Sequence, residues 1–467
     1  MTEPEHANSA HHPLPIRRLL VIACVMAAGI ASLWILIDRF SDVDMNDPTP
    51  PPVTESPIST PGNDGMLPPR AGSLAGLLGY VPDLLADDGL PLTDVAWYAD
   101  IGQWMTARGL ATPVTPDDTA LAAWRAELAS LALTATFAQR GLDPAWREAF
   151  GFDLTQVHQV LVAGQAPDYV TILRGGFDRG ALYDAWVASG YQAVEVEGAT
   201  IWTLFPGDTI DLSNPASRPA MGMLNNVVLL EDGTLIGAAK LPRLRSVLRV
   251  VNGSASSLAD NVAVASLVSP GTDSGDLVSA VISRGAVLQA LPSDLPPFAG
   301  PRPSRLTLEQ SLRALAGEAA LAAGMPRMEL AMAGVLSPPP GEGGATPTAG
   351  TPRAVLEHPM RLVLSFDDRD DARSARRVIE HRFREHLSPV TGAAYGDRYG
   401  AARFRVLDVP GDLALVEIEA SLPRGSADWL AMLAERDVGF AFWLDPDVAD
   451  GERPGSARRR YAGETRR

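Results

Sequence analysis

The chain has 467 residues, 46% of them apolar, and a formal net charge of −17. That length leaves room for two ordinary domains and a tether, and that apolar content excludes a chain disordered from end to end. The acidic balance repels phosphate backbones, so nucleic acid is not expected as a partner.

Lys240 is the only lysine, so arginine supplies nearly all the positive charge, as GC-rich bacterial coding does. The lone cysteine, Cys24, lies within an apolar run, which leaves the rest of the chain without disulfides or cysteine ligands.

Residues 1–18 read as a short cytoplasmic tail whose His6, His11 and His12 are solvated rather than ligating. Residues 19–37, from Leu19 to Ile37, carry no charge. As a helix they span roughly 28 Å, close to the hydrocarbon thickness of a bilayer. Arg17 and Arg18 precede the run, and Asp38, Asp42, Asp44 and Asp47 follow it. This bias predicts a single-pass signal-anchor helix in a bacterial cell membrane, with everything beyond Asp38 outside. The lipid bilayer is therefore the expected partner of residues 19–37. Two processed forms compete with the anchor. Gly29-Ile30-Ala31 resembles a cleavage site, but Leu33 to Ile37 extend the run beyond it. Val21-Ile22-Ala23-Cys24 resembles a lipidation box, but too few apolar residues precede it.

Residues 38–70 are crowded with Pro, Ser and Thr and read as an extended linker that holds the folded part away from the membrane.

The first α+β unit is expected over 71–269. It opens with a strand at Val95–Ala99 and a long helix from Asp118 to about Gln139, whose buried face carries Leu121, Trp124, Leu128, Leu131 and Ala135. Short helices are predicted at Asp143–Phe150 and Leu154–Leu161. Tyr169–Leu173 is a strand, after which Phe177-Asp178 starts a helix that Gly190 stops. Strands follow at Ala193–Val196, Thr200–Leu204, Asn226–Leu230 and Thr234–Ala238, the last two turning at Asp232-Gly233. Pro242 opens a helix to Asn252. One more helix is expected at Ser257–Val268. Asn252-Gly253-Ser254 matches a glycosylation acceptor but reads better as a helix-ending turn.

The second α+β unit is expected over 275–443. Its strands are Leu277–Ile282, Met328–Leu336, Met360–Phe366, the hairpin Arg403–Val409 with Leu413–Ser421, and Val438–Trp443. Its helices are Ala286–Leu291, Thr307–Ala322, Asp368–Leu387 and Ser426–Glu435. The loop 337–353 is expected to be disordered, as is the Arg-rich tail 444–467.

In both units the order strand, Phe-Asp, helix, hairpin recurs. The fold class expected is therefore α+β, with two similar units that each have a largely antiparallel sheet covered by helices.

No catalytic motif is legible. There is no Gly-x-Ser-x-Gly elbow, and Lys240 stands in no phosphate loop. His381 and His386 are five apart, which separates them by about 140° on a helix and rules out the His-Glu-x-x-His arrangement. The cluster Asp367-Asp368-Arg369-Asp370-Asp371 is the best metal candidate, but carboxylates at a helix start are favoured without a metal, and a calcium loop's glycine is missing. His158 is expected to be half-buried packing. Trp97, Tyr98, Trp104, Trp124 and Trp146 could line a cleft but read better as core.

No catalytic, cofactor-binding or metal-binding residue is assigned, and no cofactor is expected. The expectation is a non-enzymatic, membrane-tethered extracytoplasmic module that binds a partner protein, an envelope component or a ligand. The alternatives are a hydrolase whose carboxylates meet only in space, and a structural or assembly protein.

Overall fold

Most of the strands bury apolar side chains on both faces, and this demands a sheet covered on both sides. The computed structural model describes residues 73–83, 95–113, 119–165, 168–207, 209–268, 277–284, 325–337, 358–388, 391–409 and 412–422, together with 428, 429, 432, 440 and 441. All of these belong to a compact unit spanning 65–467.

In chain order the described elements begin with α1 (Leu74–Leu78), β1 (Val95–Asp100), α2 (Ile101–Ala107), α3 (Thr119–Leu128), α4 (Ala135–Arg140) and α5 (Pro144–Phe150). They continue with β2 (Val157–Gln165), β3 (Asp168–Gly175), α6 (Arg179–Ala188), β4 (Gln192–Val196) and β5 (Ala199–Thr203). Next come α7 (Ser217–Ala220), β6 (Asn226–Leu229), β7 (Leu235–Ala238), α8 (Leu241–Val251), a 3-10 turn at Leu258–Asp260 and α9 (Val262–Leu267). Last are β8 (Leu277–Arg284), β9 (Leu330–Leu336), β10 (His358–Phe366), α10 (Arg369–Glu385), α11 (Tyr395–Tyr399), β11 (Arg403–Asp408) and β12 (Ala414–Leu422). The α+β class and the antiparallel pairing both hold.

The sequence leads one to expect a sheet in each unit, but the described strands form one. Its twelve strands run β11-β12-β10-β9-β8-β1-β2-β3-β7-β6-β5-β4, every neighbouring pair antiparallel. β1 and β8 join at the centre, with Trp97 opposite Val281 and Tyr98 opposite Ala280. From that seam, β1-β2-β3 run outward on one side and β8-β9-β10 on the other. A helix follows β3 and β10 alike, and each half returns by a hairpin whose last strand, β7 or β12, pairs with β3 or β10. The β4–β5 hairpin extends the first half one hairpin further.

Alternation along the strands separates the two faces. One face packs against α2 to α7 through Ala99, Val160, Val162 and Leu173, and against α10 and α11 through Leu362, Leu364, Val416 and Ile418. The opposite face meets α1, α8 and α9 through Ala96, Tyr98, Leu161, Ile172, Ile236 and Met332.

Three predicted elements differ from the structure. The helix expected over Asp118–Gln139 breaks after Leu128, because the Ala132 N–H donates to Ser279 Oγ on β8 (2.7 Å) and Leu131, Ala132 and Leu133 all bury against the core. The helix expected at Leu154–Leu161 is instead β2, whose alternating Val157, Val160 and Val162 suit a pleat better than a helical face. The helix expected at Ser257–Val268 is split, since Ser257 and Asp260 form a capping box and Asn261 then caps α9 through the Ala263 and Val264 N–H groups.

Among the described residues no helix is long and apolar enough to cross a membrane. The run 19–37, the linker 38–70, the helices at 286–291 and 307–322, the loop 338–352 and the tail 444–467 lie outside the described residues.

Candidate functional site

The sequence candidates for chemistry resolve into local structure. Asp368 is the N-cap of α10 and accepts from the Asp371 N–H at 2.8 Å, while Asp370 pairs with Arg373 at 3.1 Å. Partial burial, then repulsion from Asp368, Asp367 and Asp370, pushes the Asp371 carboxyl up. Among the described residues no group of three or more His, Cys, Asp or Glu side chains has metal-binding geometry. His158 falls at a bulge between Val157 and Gln159 and is exposed, not half-buried as expected. The His381 and His386 rings lie with centroids 6.0 Å apart, His386 being the C-cap at which α10 ends. Burial, with the charges of Arg382 and His381, pushes His386 down.

Tyr98, Trp104, Trp124 and Trp146 are all buried core, and Trp97 is partly buried between two core clusters. They therefore line no cleft. A void beside α10, lined by Met360, Leu362, Phe383 and Ile418 among others, measures about 10 Å³. That is room for one water at most. Asn252 caps α8 and Gly253 adopts φ 71°, so this stretch is the helix-ending turn expected.

A polar cluster without any local sequence signal lies at one end of the sheet, under the segment that follows α1. Tyr80 Oη donates to Asp232 Oδ2 (2.7 Å), and Arg174 Nη2 donates to Tyr80 Oη (3.0 Å). Nearby, Gln159 Nε2 donates to Asp100 Oδ2 (2.7 Å), while Asp100 Oδ1 accepts from the Gln103 N–H and so caps α2. Burial, followed by the Asp100 charge, pushes the Tyr98 phenol well above its ordinary range. Partial burial would raise Asp232, but hydrogen bonds from Tyr80 and Thr234 and the Arg174 charge outweigh it and hold its carboxyl below 3.8. Each carboxylate here is satisfied from within the chain, and the cluster pins residues 73–83 onto the sheet.

The surface that stands out is the outer edge at β4. Gln192 to Glu195 are exposed, and among the described residues β4 pairs only with β5. Of the seven large exposed apolar residues among those described, five lie between Val187 and Met221: Val187, Val194, Ile210, Leu212 and Met221. The stretch is held firmly. Glu197 and Gly198 turn the hairpin with φ of 51° and 78°. The Glu197 carbonyl accepts from Asn252 Nδ2 (3.1 Å), and its carboxylate lies 3.4 Å from Arg249 Nε. At the other end, Asn214 Nδ2 donates to the Ser189 carbonyl at the end of α6 (3.2 Å). At the other end of the described strand order, β11 alternates exposed Arg403 and Arg405 with half-buried Phe404 and Val406.

No known protein family, curated protein or solved structure matches this chain.

Proposed function

We propose that the chain is a membrane-tethered, extracytoplasmic module that works by binding, and that its binding surface is the β4 edge. The observation that carries this reading is the concentration of exposed apolar side chains in the segment Val187–Met221, which contains β4, a strand that pairs with β5 alone among the described residues. Water-exposed apolar groups concentrated at one place mark interaction surfaces, and an open strand edge offers a row of backbone donors and acceptors to whatever docks there. The apolar run 19–37, the arginines before it and the Pro-rich linker after it support the address.

The same reading takes 71–269 and 275–443 as two similar units fused through β1 and β8. Their common strand order supports this, and it marks the β4–β5 hairpin as an addition made by the first unit alone.

The test has two parts. A reporter fused after residue 445 should be active only outside the cytoplasm, and the intact chain should remain in lipid fractions. A photo-cross-linking residue at Val194 should form adducts in membranes, whereas the same residue at Val262, an exposed apolar position on α9, should not. A cytosolic reporter or equal labelling at both positions would sink the proposal.

A further inference from the structure

Resting on that surface, we infer that the occupant of the β4 edge is a second copy of this chain, paired antiparallel through β4 about a twofold axis at Val194. The strand is self-complementary in that register. Val194 meets its own counterpart, Ala193 lies opposite Glu195, and Gln192 lies opposite Val196, so no like charges face each other. Moving the axis one residue to Glu195 would set two carboxylates face to face. Glu195 is also held within its own hairpin, where its Oε1 accepts from Thr200 Oγ1 (2.6 Å).

Symmetry favours the same contact. Pairing β4 with β4 closes after two copies, whereas pairing β4 with β11 would leave two free edges and grow without limit. β11, at the other end of the described strand order, bears exposed Arg403 beside Arg405, which is paired with Glu417 and Glu419, and charged side chains on an end strand discourage edge-to-edge growth. The chain already uses this mode of joining internally, where β1 and β8 meet antiparallel as the innermost strands of the two halves. The anchored β4–β5 turn presents the edge in one conformation, which reduces the entropy lost on pairing. A common membrane would add to this by raising the local concentration of copies.

The experiment uses the full chain in detergent micelles with Cys24→Ser as background. In the proposed register the two Val194 Cα atoms are about 4.5–5.5 Å apart, within disulfide reach, whereas the two Gln192 Cα atoms are separated by roughly 13 Å. Val194→Cys should therefore give a disulfide-linked dimer under mild oxidation, and Gln192→Cys none. Light scattering should give twice the chain mass for the parent protein and the single-chain mass for Val194→Lys, which sets two ammonium groups face to face with circular dichroism unchanged. A monomeric parent, or disulfides formed equally at both positions, overturns the self-pairing. If the parent is monomeric but a photo-cross-linker at Val194 captures a different chain in membranes, self-pairing falls and the binding edge stands. If neither a dimer nor an adduct forms, both fall. Assemblies larger than two copies overturn the twofold arrangement.

Discussion

Glu417 sits on β12 with its side chain 2% exposed, and two guanidinium groups reach its carboxylate. Arg361 Nε lies 2.8 Å from Oε1, and Arg405 Nε donates to Oε2 at 2.8 Å; Arg405 Nη2 also donates to Glu419 Oε1 at 2.7 Å. Arg361 itself is only 6% exposed. Removing one partner of a buried ion pair leaves the other charge without compensation, at a cost of about 3–5 kcal/mol. Glu417→Ala should lower the unfolding free energy by that amount in urea titration, while Glu419→Ala, on a more exposed partner, should cost about 1 kcal/mol or less. Asp232 carries a pH signature. Its carboxyl is lowered, so the fold favours the charged form, and the stability this contributes is present above pH 3.8 and lost as pH falls through the lowered value. Asp232→Asn should therefore flatten the acid limb of the stability curve below pH 4, and leave that limb's shape unchanged only if the Tyr80 and Thr234 contacts do not form in solution. Neither site was legible beforehand. Arg361 and Glu417 are 56 positions apart, Tyr80 and Asp232 are 152 apart, and pairs so distant leave no pattern in the chain.

Among elements, the helices that follow β3 and β10 show how much local sequence decides. Asp178 caps α6 through the Gly180 and Ala181 N–H groups, and Asp368 caps α10 through that of Asp371. Each was legible because a short acidic side chain at the end of an apolar strand is the residue that satisfies free helix amides. Asp368→Ala should cost about 1 kcal/mol in thermal or urea unfolding. Asp368→Asn should cost close to nothing, since an amide oxygen still caps and the repulsion that raises Asp371 is eased. A larger loss for Asn than for Ala would mean that the charge, not the cap, matters. β2 shows the opposite case. Leu154 to Leu161 contains apolar residues at spacings that fit a helical face as well as a pleat, and only pairing with β1 and β3 decides between them. The break in the helix after Leu128 likewise depends on Ser279, which lies 147 residues beyond Ala132.

Across the whole molecule, the continuous sheet ties the fate of each half to the other. β1 and β8 pair over five residues, and Trp97 packs against core on both sides of that seam. Unfolding of the folded part should therefore be one cooperative transition. Tryptophan emission, dominated by residues 97–202, should report the same urea midpoint as far-ultraviolet circular dichroism, which samples all strands. Two separated midpoints would mean that the seam is not cooperative. The α+β class, the helix starts at Asp178 and Asp368 and the tight turn at Asp232-Gly233 were settled by the chain alone, because each depends on residues within a few positions of one another. The joining of the described strands into one sheet, the seam at β1 and β8, the buried charges around Glu417 and the place of β4 at one end of the described strand order were decided only by tertiary structure. Which strands become neighbours depends on contacts between distant segments, and so does which strands end the described order.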